Sequence, residues 1–136
     1  MYGQNSTECY DNLKFNQEER IRGNIIFKEE ILKKEPLIFN GIDQVVKTLN
    51  EKYKLVLISS SYQEEVEQKL ERYNIKKYFD LIIGNKSHTK RFEKTEGILK
   101  ILKELGLNPK EVILVCDRNI DFIEGTKAGL TTLRLK

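Results

Sequence analysis

Two aspartates four residues apart, Asp117 and Asp121, follow the apolar run Val112–Val115 in the stretch CDRNID. Carboxylates at that spacing offer hard oxygen donors to one divalent cation. Mg²⁺ keeps several waters and needs only one or two carboxylates beside the oxygens of a phosphate. The same residues also suit a plainer role, with Asp117 capping a helix and Asp121 as a solvated acid in its first turn. A second cluster, Ser59-Ser60-Ser61, closes another apolar run and precedes a helix. Hydroxyls and backbone N–H groups at a helix N-terminus hold anions, phosphate among them. Serine is equally a common N-cap. Between the clusters lies NKSHTKRFEK, residues 85–94, with four basic residues and one acid. A lysine at the mouth of a phosphate site neutralises charge on a transferring group. Lys94, at the start of a helical pattern, is the first choice for that role, and Lys90 is the alternative, since a loop can bring either one in. His88, the only histidine, has no obvious partner and reads as a loop residue.

These residues need a scaffold, and the hydrophobic pattern supplies one from Pro36 onward. Ile42, Val45, Val46 and Leu49 mark an amphipathic helix over 42–52. The run KLVLIS, residues 54–59, is apolar without alternation, as expected of a strand covered on both faces. Val66, Leu70 and Tyr73 mark a helix over about 62–73, and Leu81–Ile83 a short buried strand. Ile98, Ile101, Leu102 and Leu105 mark a third helix, stopped by Gly106 and Asn108-Pro109. Val112–Val115 reads as another buried strand. A helix from about Ile120 to Gly129 and a strand over Leu130–Leu135 complete the order. Strands alternating with helices imply right-handed crossovers onto a parallel sheet, with ligands at the carboxyl ends of the strands. Upstream, Ile21, Ile25 and Leu32 lie on one face of a helix, with a short strand over Asn24–Phe27 as the alternative.

The composition fits one soluble domain. The 136 residues are 39% hydrophobic and 33% charged, and 24 basic against 21 acidic residues leave a net charge of +3. That balance gives no reason to expect a nucleic-acid partner. No apolar run approaches the length needed to cross a bilayer, and the N-terminus lacks the pattern of a signal peptide. Cys9 and Cys116 make no disulfide framework, so a cytoplasmic location is expected.

Taken together, LVLISSS with Ser59, KTEGILKILKELGLNPKEV with Lys94, and VILVCDRNIDFIEGTKAG with Asp117 and Asp121 resemble the haloacid dehalogenase-like (HAD) hydrolases. The resemblance is chiefly to their phosphoglycolate-phosphatase-like branch. The resemblance covers about residues 30–136, and 117–129 is its most specific part. It implies an α/β fold, a three-layer Rossmann-like parallel sheet. It also implies a Mg²⁺-dependent phosphatase acting on a small phosphorylated metabolite. Ser59 and Ser60 would then bind phosphate and Lys94 would offset the developing charge. Asp117 would bind Mg²⁺, supported by Asp121. Cys116 departs from the glycine usual before the first acid.

A larger departure lies upstream. The family's first strand ends in DxDxT or DxDxV, whose first Asp is the nucleophile and whose second is the general acid and base. Nothing before Ser59 matches. Asp11 has no apolar strand before it, Asp43 opens a helix, and forcing Ile25–Glu30 into register puts Lys28 where the nucleophile belongs. Residues 1–35 therefore read as the remaining tail of a helical cap and 36–136 as the core, with the central first strand missing. Three arrangements follow. The flanking strands pair directly, the segment near Asn24–Phe27 fills the gap, or another chain supplies the strand through homo-oligomerisation or as a complementing fragment. Without the nucleophile, little phosphatase activity is expected of this chain alone. The alternative is a non-catalytic module that binds phosphate and Mg²⁺ in a regulatory or scaffolding role.

Overall fold

A computed structural model describes residues 6–33, 38–87 and 92–135. The elements in chain order are α1 (Ser6–Asn12), α2 (Gln17–Lys33), α3 (Ile42–Asn50), β1 (Val56–Tyr62), α4 (Gln63–Arg72), β2 (Leu81–Asn85), α5 (Lys94–Leu105), β3 (Ile113–Cys116), α6 (Asn119–Lys127) and β4 (Thr131–Arg134). Short 3₁₀ turns sit at Lys76–Tyr78 and Pro109–Glu111. The chain divides into two compact units, residues 1–92 and 93–136. Both are α/β with parallel strands, as the alternation of elements predicts. His88 and Lys90, with the rest of residues 88–91, lie outside the described residues.

In the first unit β1 runs parallel to β2, with Val56, Leu57 and Ile58 opposite Leu81, Ile82 and Ile83. Leu57 and Ile82 face a core built on Val46 of α3, Val66 and Leu70 of α4, and Ile75. Removing a buried Leu70 from such a core costs about 2–5 kcal/mol. Strand β1 continues to Tyr62, three residues past the expected end at Ser59. Its register then slips. After Ile58 opposite Ile83 the next pair is Tyr62 opposite Asn85, so Ser59, Ser60 and Ser61 stand against Gly84 alone. The side chain of Gln63, first residue of α4, pins β2 by accepting from Gly84 N–H at 2.5 Å and donating to the Ile82 carbonyl at 3.1 Å.

Helix α2 includes Asn24–Phe27, so the strand alternative does not form. The face marked by the sequence is displaced: Asn24 is buried, whereas Ile25, Ile26 and Phe27 are exposed. Tyr10 of α1 lies against Gly23 on that side of the helix. Lys28 ion-pairs with Glu64 at the start of α4 and lies over the Tyr62 ring.

In the second unit β3 runs parallel to β4, pairing Ile113 to Cys116 with Thr131 to Arg134 in order. Helix α6 crosses close over this ladder. A Cβ at Gly125 would collide with the Leu114 side chain and lie 3.0 Å from Thr132 Oγ1, so glycine sets the approach. Helix α5 turns Ile98, Ile101 and Leu102 inward and ends at Gly106, which takes the left-handed conformation (φ 63°) of a helix stop. Asn108 and Glu111 then form a reciprocal capping box around Pro109.

The expectation of a fully buried β3 is not met. Ile113 and Val115 are 66% and 54% exposed, and Leu133 of β4 is 54% exposed. Successive strand residues point to opposite faces, so only Leu114 and Cys116 turn toward α6. One of the three arrangements set out for the first strand is also corrected. Among the described residues β1 pairs with β2 and β3 with β4, in two two-stranded ladders. The segment 24–27 is helical and fills no gap. Among the described residues no strand precedes β1, and no helix is long and apolar enough to cross a membrane.

Candidate functional site

The chemistry-bearing residues fall into two groups, one in each unit. Ser59 and Ser60 belong to the first. They occupy the irregular end of β1, where the ladder to β2 is interrupted. Bulges re-aim side chains and release backbone groups from pairing, and they recur beside active sites. Ser59 is half-buried and its hydroxyl oxygen accepts from Ser61 N–H at 3.1 Å, while Ser60 is exposed. Neither caps α4, whose N-cap is Tyr62, with no side-chain capping bond.

Lys94, Asp117 and Asp121 belong to the second unit. Lys94 is the first residue of α5 and Asp121 lies in the first turn of α6. Lys94 Nζ meets Asp121 Oδ2 at 2.8 Å, with the two side chains only 13% and 8% exposed. The reading of Asp121 as a solvated acid is therefore corrected. A cation at a helix N-terminus opposes the helix dipole, and a paired carboxylate on the neighbouring helix offsets that penalty. Asp117 follows β3 directly and is exposed. It does not cap α6, whose N-cap is Arg118, with no side-chain capping bond. It stands at the carboxyl end of the strand, outside the helix and four residues before Asp121.

Cys116, between β3 and Asp117, is buried. Its thiol is held above its ordinary value of 9.0, first by burial and then by the Asp121 carboxylate, with Lys94 opposing. A thiol held protonated is a poor nucleophile.

Two further residues border this group. Glu124, one turn beyond Asp121, is buried and accepts from Thr95 N–H at 3.2 Å. Arg134, at the end of β4 opposite Cys116, donates to Asn119 Oδ1 at 3.1 Å. Position at a strand end does not mark Glu124, which lies mid-helix. Its signal is the three-residue spacing from Asp121, which puts both carboxylates on one face of α6.

As donors for a metal, Asp117 and Asp121 fit a hard cation that fills its remaining positions with water and phosphate oxygens. They do not make an all-protein cage. Among the described residues there is no group of three or more His, Cys, Asp or Glu side chains placed to hold a metal ion.

The sequence profile described as "Haloacid dehalogenase-like hydrolase" matches residues 1–135. The chain belongs to this family. Among curated proteins it is 31% identical over 80 residues to a phosphoglycolate phosphatase of Aquifex aeolicus, covering 59% of this chain and 38% of that protein. It is 27% identical over 95 residues to pyrophosphatase PpaX of Halalkalibacterium halodurans, covering 69% and 44% respectively. The matched part spans less than half the length of these family members. Among solved structures, a predicted phosphatase from Clostridium acetobutylicum shares the fold with a TM-score of 0.83 at 22% identity, over 95% of this chain and 62% of that one.

Proposed function

We propose that this chain carries the phosphate- and magnesium-holding part of a HAD-type phosphatase site that acts on a small phosphorylated metabolite. The observation that carries the reading is the buried Lys94–Asp121 pair, four residues along the chain from Asp117 at the end of β3, in a chain of this family. In this reading Ser59 and Ser60 hydrogen-bond phosphoryl oxygens from the irregular end of β1. Lys94, already held by Asp121, presents its remaining N–H donors to the transferring group and offsets its charge. Asp117, exposed and four residues away along the chain, would hold Mg²⁺ with support from Asp121. The metal would supply charge neutralisation at the phosphate. Residues 1–35 are the remnant of a helical cap and residues 36–136 the catalytic core. The phosphatase and pyrophosphatase names of the curated relatives agree in pointing to a phosphoric ester or anhydride.

A specific observation favours slow chemistry by this chain alone. Among the described residues the regular elements before β1 are all helices. Asp11 lies in α1, tied to Arg20 at 2.6 Å, and Asp43 lies in α3. None stands at a strand end, where an attacking carboxylate would meet phosphorus in line. The same observation supports the second reading, a non-catalytic phosphate- and Mg²⁺-binding module. It also supports a strand supplied by a second chain or a complementing fragment.

The test is turnover of a generic aryl phosphate by purified chain of confirmed mass, with Mg²⁺ and with EDTA. The reading expects little or no turnover. Robust Mg²⁺-dependent hydrolysis abolished by Asp117→Ala would overturn it and direct mutation to Asp11, Glu30 and Asp43.

A further inference from the structure

Helix α5 begins with Lys94, and its first turn is held from outside. Its N-cap residue, Glu93, makes no side-chain capping bond. The first N–H groups of a helix have no partner within it, and a buried one left alone is costly. Here Thr95 N–H is taken by Glu124 Oε2 at 3.2 Å, from a residue 29 positions away on α6. Thr95 Oγ1 reaches back toward the Glu124 carbonyl at 3.5 Å. Glu124 is only 8% exposed. One turn earlier on the same face of α6, Asp121 holds the Lys94 ammonium. Two consecutive residues of α5 are thus gripped by two carboxylates of α6, one through a charge and one through a backbone hydrogen bond.

The geometry points to Glu124 as a positioning residue for Lys94, and this inference rests on the role proposed for Lys94 above. A lysine stem has four rotatable carbons, so an ion pair alone restrains its ammonium poorly. Anchoring the backbone one residue on fixes where the stem starts. Glu124 then acts by accepting a hydrogen bond at Thr95, not by its charge. Gln keeps an acceptor at the same reach, Ala removes it, and Asp keeps the charge but is one methylene shorter.

The test labels the chain with ¹⁵N-lysine. The Lys94 ammonium signal, assigned by its loss in Lys94→Arg, is visible while the buried pair shields it from exchange with water. Thr95 amide exchange is followed alongside, with inorganic phosphate affinity in Mg²⁺. In Glu124→Ala the ammonium signal should vanish, Thr95 exchange should speed up by about tenfold or more, and phosphate affinity should fall about tenfold. Glu124→Gln should restore all three. In a Lys94→Ala background, Glu124→Ala should change phosphate affinity no further. An unchanged Lys94 signal in Glu124→Ala, equal damage from Glu124→Gln, or a full additional loss without Lys94 would each overturn the assignment. Should Glu124→Ala not fold, Glu124→Asp decides: loss of the Lys94 signal upholds the assignment and its retention overturns it. If the wild-type chain binds no phosphate, the proposed function fails, while the ammonium and amide readouts still judge Glu124.

Discussion

Removing Asp121 should expose how strongly the site is tied to the stability of its own unit. Asp121→Ala leaves the Lys94 ammonium, only 13% exposed, without its carboxylate. Breaking a buried ion pair from one side costs about 3–5 kcal/mol, because the remaining charge is desolvated and unpaired. Lysine can extend its stem toward water, which favours the lower end of that range. A domain of this size has only about 5–15 kcal/mol in total. At about 2–4 °C per kcal/mol, the melting temperature should fall by roughly 6–20 °C. Lys94→Ala should cost a comparable amount by stranding Asp121. The double variant should lose far less than the sum, with a coupling of about 2 kcal/mol or more. Urea titrations of the four proteins, followed by far-UV circular dichroism, measure the cycle. Additive losses, or an Asp121→Ala cost below about 1 kcal/mol, the value of an exposed pair, would refute the claim that this pair is buried and specific.

Gly125→Ala should lower stability by about 1–3 kcal/mol, read as a fall in melting temperature, because the new methyl meets Leu114 and Thr132 at the α6 crossing. Cys116 should react with a maleimide far more slowly than Cys9 at pH 8, since its thiol is buried and held above 9.0. The associated stability is intact below the unfolded thiol value and is lost as the pH rises through the higher folded value, so alkaline unfolding should set in later in Cys116→Ala.

Much of the fold was legible because its elements are local. The apolar runs at 54–59, 81–83 and 112–115 mark three strands, and Gly106 with Asn108-Pro109 marks a helix end that the capping geometry explains. What escaped the sequence depends on partners in space. The string VILV looks the same whether one face of a strand is covered or two, so the exposure of Ile113 and Val115 could not be read from it. Ser59-Ser60-Ser61 looks like a cap, yet the register against Gly84 makes it an interruption of a strand. In the candidate site, type and place at strand and helix ends single out Lys94, Asp117 and Asp121. The pairing of Lys94 with Asp121 and the grip of Glu124 on Thr95 join residues far apart in sequence, and no spacing rule announces them.

The proposed function turns on whether this chain holds phosphate through a metal. Calorimetric titration of inorganic phosphate into the purified chain, with Mg²⁺ and with EDTA, tests that claim. Binding should require Mg²⁺, disappear in Asp117→Ala and weaken about tenfold in Lys94→Ala, the loss of one charge-assisted contact. Absence of phosphate binding in Mg²⁺, or equal binding in EDTA that survives Asp117→Ala, would contradict it.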